Sequence, residues 1–292
     1  MIKSQCTVLV CSCDAYEDLW QPFFKLLEKF WPQCPYEILL NTETKKFDYS
    51  GVLKVTTFVS CAAGKEKAWS KRLRQCLKTI DTPYTIFMLD DFFVSAPVDQ
   101  SKIERCLQWM DNDENIVNFS FVPTLWKDID DGKYPDFLRR SENALYKVNT
   151  QVGLWKTEEL KKLLRNHESP WQFENWGSWR ANRNEKKVFY AADKNSSRAF
   201  QYIFGGGIHG GKWAREILPI FKENNIIISN YEIRGWDVIP TVEYERLQEE
   251  PTLKPGKTDT AQPLWKRIWS VKKWKDFLGY LFVLCKNWRS VL

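Results

Sequence analysis

Two adjacent carboxylates, Asp90 and Asp91, directly follow the apolar run 84–89. Such a run reads as a buried strand, and in an open α/β sheet ligands bind outside the carboxyl ends of the strands. Paired acids at that edge can hold a divalent cation, which in turn neutralises a diphosphate. The competing reading is a helix cap or a solvated turn. A third carboxylate, Glu174, lies in Ser169-Pro-Trp-Gln-Phe-Glu174, with Trp171, Phe173 and Trp176 around it. Aromatic neighbours desolvate a carboxylate and raise its pKa, which suits a general base, whereas a helix N-terminus acts in the opposite sense. The plain alternative is a first-turn Glu that stabilises a helix dipole; Asp193 and Glu158 are weaker candidates for a base. The stretch Gly205-Gly-Gly-Ile-His-Gly-Gly-Lys212-Trp213 adds an imidazole, His209, and an ammonium, Lys212, to five glycines. Glycines let backbone N–H groups approach a phosphate closely, although the spacing is not that of a Walker loop. The competing reading here is a flexible surface loop with a solvated histidine. His167 sits among polar residues and reads as structural.

The elements that must position these groups can be read from periodicity. Residues 5–11 form a buried strand and 18–31 a helix with Leu19, Phe23, Leu26, Leu27 and Phe30 on one face. Strands follow over 36–40 and 52–59, a helix over 65–80, and the strand 84–89 that ends on the acids. Strands alternating with helices predict an α/β fold with a mainly parallel, doubly wound sheet. Further on, the pattern predicts strands over 116–122 and 144–148 and helices over 157–165, 171–182 and 212–224. Residues 249–263 are rich in Pro, Gly and Thr and read as a linker.

Composition narrows the function classes. The net charge of +6 is carried by residues 264–292, where Lys266, Arg267, Lys272, Lys273, Lys275, Lys286 and Arg289 face Asp276 alone. Residues 1–263 are therefore neutral, which argues against a nucleic-acid-binding core. In 264–292 apolar residues recur at steps of three and four from Leu264 to Leu292, and the segment holds four tryptophans, Trp265, Trp269, Trp274 and Trp288. Its unbroken apolar run, 277–285, is too short to span a bilayer. The pattern predicts a basic amphipathic helix lying in the lipid headgroup layer, the alternative being a helix packed on its own domain or on a second subunit. The scattered cysteines lack metal-binding or redox spacing, no secretory signal is evident, and the thiols read as reduced, in a cytoplasmic protein.

Several pieces taken in order carry a family likeness. They are Cys11-Ser-Cys-Asp14-Ala-Tyr16, Asp18-Leu-Trp20-Gln-Pro-Phe-Phe24, Trp69-Ser-Lys-Arg72-Leu, Asp90-Asp91-Phe92-Phe93, Gln151-Val-Gly-Leu-Trp155 and Ser169-Pro-Trp171-Gln-Phe-Glu174. Spanning roughly residues 5–240, they resemble the GT-A-fold glycosyltransferases, specifically bacterial enzymes of capsular and other surface polysaccharide biosynthesis. The resemblance implies a GT-A-like (Rossmann-like) catalytic domain over 1–248, then the linker and the membrane-surface helix. It implies an inverting transferase that moves a sugar from a nucleotide sugar, with UDP-sugars favoured, to a polyprenyl-diphosphate-linked glycan at the inner face of the membrane. Cys11, Asp14, Tyr16, Arg72, Asp90, Asp91 and Lys212 would bind the donor, Trp155 and Trp171 the acceptor, and Glu174 would be the base. A manganese or magnesium ion would lie on Asp91, with His209 as a second ligand. One departure bears on this: a DXD motif ends in a metal-ligating acid, and position 92 is Phe, which leaves metal dependence open. The same departure favours the rival reading, a non-catalytic, membrane-docked binding or scaffold subunit of a glycan-assembly complex. A retaining enzyme on the same fold is the nearest catalytic variant.

Overall fold

The computed structural model describes residues 5–61, 68–124, 128–203, 205–227 and 234–236. The chain divides into two compact units, Met1–Trp236 and Asp237–Leu292, and all the described residues belong to the first. The expected linker over 249–263 and helix over 264–292 lie outside the described residues. Among those residues no helix is long and apolar enough to cross a membrane.

Strand β1 (Cys6–Cys11) is the spine of the sheet, and all six of its residues are buried. An unbroken apolar run is what a strand covered on both faces demands. Parallel to it run β2 (Glu37–Thr42) and then β3 (Val55–Val59) on one side, and β4 (Tyr84–Leu89) on the other. Beyond β4 the sheet becomes mixed. The short β7 (Gly153–Lys156) runs antiparallel between β4 and β5 (Ile116–Ser120). Strand β8 (Val188–Ala192) is parallel to β5, and β6 (Phe137–Arg139) closes that edge antiparallel to β8. The order is β3-β2-β1-β4-β7-β5-β8-β6. The protein is thus a mixed α/β fold built on one large sheet.

Period-two alternation divides the strands between two apolar layers. Val8, Val10, Ile86 and Met88 point to the layer formed by α1 (Glu17–Phe30), α3 (Gln100–Asn112) and α7 (Ile217–Glu223). Leu9, Cys11 and Phe87 point the other way, against α2 (Trp69–Leu77), α4 (Thr157–Leu163) and the run formed by α5 (Pro170–Gln172), a π-helical turn (Phe173–Gly177) and α6 (Ser178–Asn182). Much of the aromatic content is structural: the ring of Phe119 lies 4.9–5.8 Å from those of Trp109, Tyr134, Phe137 and Tyr190.

Two expected elements are corrected. Residues 144–148 do not form a strand, because Asn143 and Tyr146 adopt φ of 59° and 54°, left-handed values that break any extended run. The helix expected from residue 212 starts at Ile217 instead. Lys212 belongs to a small hairpin, β9 (Ile208–His209) and β10 (Lys212–Trp213), turned by Gly210 and Gly211 at φ of 56° and 84°. Two consecutive positive φ values make the primed type of turn, which matches the twist of a hairpin and which glycine adopts without strain.

Candidate active site

The registers of β1, β2 and β4 bring their carboxyl ends level, with Cys11 opposite both Asn41 and Leu89. The segments that follow, 12–16, 42–45 and 90–91, therefore gather at one edge of the sheet. Asp90 is tied inward there. The Ser12 hydroxyl donates to Asp90 Oδ2, and the Trp20 indole N–H donates to Ser12 Oγ at 2.6 Å. Burial, with the neighbouring Asp91 charge added, pushes the Asp90 carboxyl well above the ordinary range; the Ser12 hydrogen bond opposes this.

Asp91 faces a different environment. Its backbone carbonyl accepts from the Gly207 N–H at 2.8 Å, and the Ile208 N–H approaches its carboxylate. Burial raises its pKa to about 7. Oδ1 is closed off and has no hydrogen-bond partner among the described residues. Gly206, at φ of 88°, packs against this side chain so closely that a Cβ there would sit 2.2 Å from Asp91 Oδ2. An orphaned carboxylate oxygen in such a cradle fits a cation ligand. Among the described residues, however, no three His, Cys, Asp or Glu side chains converge as a metal-binding set. Phe92 is no misplaced ligand: it is buried, and its ring stacks on Tyr202 with centroids 4.6 Å apart.

The other strand-end residues surround this pair. Tyr16 is half-buried, and its phenol is raised first by burial and then by the charges of Asp91 and Asp90. Arg72, reaching from α2 with its side chain 5% exposed, pairs with Glu43 Oε1 at 2.9 Å. Its guanidinium and Asp90 both act on the Cys11 and Cys13 thiols, which burial raises to about 12 and about 11. Asp14 does something the sequence did not suggest. Its carboxylate accepts the N–H groups of Glu43, Thr44 and Lys45 and the Thr44 hydroxyl, while its own N–H donates to Glu43 Oε2 at 3.0 Å. Although its partial burial acts upward, those donors hold the carboxyl below its usual value. Asp14 therefore staples the loop after β2 to the loop after β1.

Glu174 lies on the π-helical turn, where the ladder is locally widened, a distortion often found at functional sites. The run begins as expected. Pro170 follows Ser169, whose hydroxyl oxygen accepts the Gln172 N–H, while Gln172 Oε1 accepts the Ser169 N–H, completing a capping box. Glu174 Oε1 accepts both the N–H and the hydroxyl of Thr150, each at 2.8 Å. Burial raises the Glu174 pKa against those two bonds. The next residue, Gln151, accepts from the Tyr202 hydroxyl at 3.0 Å, and Tyr202 feels the Asp91 charge. A continuous set of contacts, Glu174–Thr150–Gln151–Tyr202–Phe92, thus leads from the tryptophan-flanked carboxylate to the strand-end acids.

The remaining candidates divide. Trp155 is 1% exposed, packed against Phe189 between strands, so its ring offers no face to an acceptor; that expectation is corrected. Trp171 is 73% exposed. Lys212 is exposed and His209 partly so, facing each other across the hairpin that begins beside Asp91. Thr150, Tyr202 and Arg234 were not singled out from the sequence. Arg234 forms a bidentate pair with Asp18 at 2.7 and 2.5 Å, and its guanidinium lies 4.6 Å from the centroid of the Tyr16 ring. No local signal marks such a residue, since its partners stand more than 200 positions away.

No family model matches the sequence, and no curated protein does. Solved structures do share its outline. TarS of S. aureus matches at a TM-score of 0.39 and 12% identity, over 65% of this chain and 36% of its own. The mannosyltransferase PcManGT from Pyrobaculum calidifontis, solved with GDP-Man and Mn2+, matches at 0.40 and 12%, over 64% and 54%. The 2-C-methyl-D-erythritol 4-phosphate cytidylyltransferase from Thermus thermophilus matches at 0.41 and 11%, over 76% and 100%. The chain thus matches only about a third of the length of TarS. Two different chemistries occur among these neighbours, and likeness at this distance carries no argument between them. The site itself must decide.

Proposed function

We propose that this protein is a nucleotide-sugar-dependent glycosyltransferase of the GT-A type, acting with inversion. The observation that carries the reading is the pairing of two unlike carboxylates along one contact path. Asp91 has an orphaned oxygen at the strand edge, and Glu174 is a carboxylate of raised pKa held by Thr150. The first suits a sugar diphosphate and the second a hydroxyl nucleophile.

Glu174 takes the proton from the acceptor hydroxyl as that oxygen attacks the anomeric carbon and the bond to the diphosphate breaks. Its Oε1 is occupied by Thr150, which leaves Oε2 to receive the proton. A raised pKa matches the base to neutral pH. The nucleotide end of the donor lies over the loops after β1 and β2, whose geometry Asp14 fixes, with Tyr16 beside it. Arg72 holds Glu43 at the rim of this cradle, and Lys212 on the hairpin supplies a cation to the leaving diphosphate. Asp91 is the protein ligand that fits a bound manganese or magnesium ion, with His209 as the second candidate. Such an ion would neutralise charge developing on the diphosphate. Trp171, exposed next to the π-helical turn, offers a ring face to the acceptor sugar. The proposed acceptor is a polyprenyl-diphosphate-linked glycan of surface polysaccharide assembly, met at the inner face of the membrane with the help of residues 264–292.

The test pairs two measurements on the full chain. Glu174→Gln should lower transfer about 10²- to 10⁴-fold, the usual contribution of a general base, while nucleotide-sugar binding followed by calorimetry stays unchanged. Full transfer by this variant would overturn the mechanism. Absence of nucleotide-sugar binding by the wild type, with and without manganese, would overturn the function.

A further inference from the structure

Arg234 joins two parts of the sheet edge that are far apart in sequence. Its Nε and Nη2 donate to Asp18 Oδ2 and Oδ1 at 2.7 and 2.5 Å, a bidentate pair whose side chains are 11% and 15% exposed. Nη2 also donates to the Ala15 carbonyl, and Nη1 donates to the Gly211 carbonyl at 3.3 Å. Asp18 lies in the first turn of α1, where the helix dipole favours a carboxylate, so the anchor is itself well placed. The same guanidinium lies 4.6 Å from the centroid of the Tyr16 ring, a cation–π contact.

Each end of this clamp reaches a residue of the candidate active site. On one side, Tyr16 packs on the apolar layer that holds α1, and its phenol lies in the field of Asp91 and Asp90. On the other side is the hairpin of β9 and β10, which carries Lys212 and is rooted beside Asp91. There the Gly207 N–H donates to the Asp91 carbonyl at 2.8 Å, and the Ala214 N–H donates to the Gly207 carbonyl at 2.9 Å. The residues after Arg234 hold the hairpin base as well. The Trp213 N–H donates to the Gly235 carbonyl at 3.0 Å, and Trp236 forms a parallel bridge with the buried Trp213. The turn is less supported: a Cβ added at Gly210 or Gly211 would meet nothing within 4 Å. Arg234 takes hold of the hairpin at that open turn.

We infer that Arg234 is a positioning residue of the donor site: paired with Asp18, it holds the Tyr16 ring and the turn before Lys212 in one arrangement beside Asp91. The inference rests on the proposed function for what that arrangement binds, a nucleoside diphosphate group. The geometry calls for a guanidinium. One planar fork meets four acceptor oxygens, on Asp18, Ala15 and Gly211, and lies against the Tyr16 ring. A lysine ammonium is a single point with three donors and cannot do both. Without the fork the arrangement is one of several, and affinity falls with the fraction of molecules that occupy it.

The experiment measures binding of UDP and of GDP, each with manganese, by calorimetry on the full chain, together with tryptic cleavage between Lys212 and Trp213. Arg234→Met keeps an aliphatic stem and removes the fork. It should weaken nucleotide binding about 10-fold, the loss expected when the arrangement is populated about one time in ten. It should also speed cleavage after Lys212, which tracks the population of the open turn. Arg234→Lys should bind as weakly as Arg234→Met. Asp18→Asn keeps the shape of the anchor, removes its charge, and carries the test should Arg234→Met fail to fold. It should weaken binding in the same direction, and the Asp18→Asn/Arg234→Met double variant should bind no worse than Arg234→Met. Wild-type affinity in Arg234→Met or Asp18→Asn, with Tm alone lowered, would reduce the clamp to a staple of the fold and overturn the inference. Wild-type affinity in Arg234→Lys would overturn it by making charge alone sufficient, as would equal cleavage of the wild type and Arg234→Met. All of these outcomes leave the proposed function standing. Binding of neither nucleotide by the wild type would overturn that function, and this inference with it.

Discussion

Gly206→Ala tests the cradle of Asp91. The added Cβ would lie 2.2 Å from Asp91 Oδ2, more than 1 Å inside normal contact, and the backbone there has φ of 88°. Two costs follow, and they can be separated. A non-glycine residue in the left-handed region costs roughly 1–2 kcal/mol, which for a unit of this size lowers Tm by about 2–8 °C. The clash must also displace the Asp91 carboxylate by about 1 Å, and misplacement on that scale costs on the order of 100-fold in rate. Gly132→Ala is the control, since Gly132 has φ of 66° but nothing within 4 Å of an added methyl. Both variants should lose similar stability in thermal unfolding. Only Gly206→Ala should lose transfer, by about 100-fold in kcat/KM measured well below its Tm. If the two variants transfer sugar equally well, Asp91 does not act where we place it.

Three further outcomes are expected. Asp91 in the folded chain titrates near 7 rather than 3.8, so the folded state binds a proton the unfolded state has released. Its contribution to stability is present below about pH 4 and is lost as pH rises through 7, so Asp91→Asn should raise stability at pH 8 by up to about 4 kcal/mol in denaturant unfolding. Transfer by the wild type should rise over the same pH range as Asp91 ionises, and a rate that falls from pH 6 to 8 would contradict this. Phe92→Ala removes a fully packed ring and its stack on Tyr202, and should cost about 3–5 kcal/mol; a loss below 1 kcal/mol would show that Phe92 is not the core residue described.

The parts of the fold legible in the sequence are those whose signal is local and strong. The apolar runs of β1 and β4, the amphipathic α1, and the Ser169-Pro170 helix entry each fall where periodicity and capping chemistry put them. The acids at the end of β4 were visible because they interrupt such a run. Strands β6 and β7, at three and four residues, are too short to show a period. Helix α3 escaped notice although Asp99 caps it by accepting the Lys102 N–H at 2.9 Å. Trp155 illustrates the ambiguity of tryptophan: the same side chain serves a core or a sugar platform, and only the position of β7 between two other strands decides. The Asp14 staple and the Arg234 clamp depend on loops brought together by the sheet, and no spacing along the chain foretells them.

The two neighbouring aspartates are not equivalent partners. The inner one ends a relay that starts at an indole on the first helix and passes through a serine hydroxyl, so it works as a tie rod between α1 and the sheet edge. The outer one keeps an oxygen that no described residue engages. The motif that looks symmetrical in letters is therefore one fastened carboxylate and, on the function proposed above, one that acts. On that reading a change at the inner position is felt as looseness and a change at the outer one as lost chemistry.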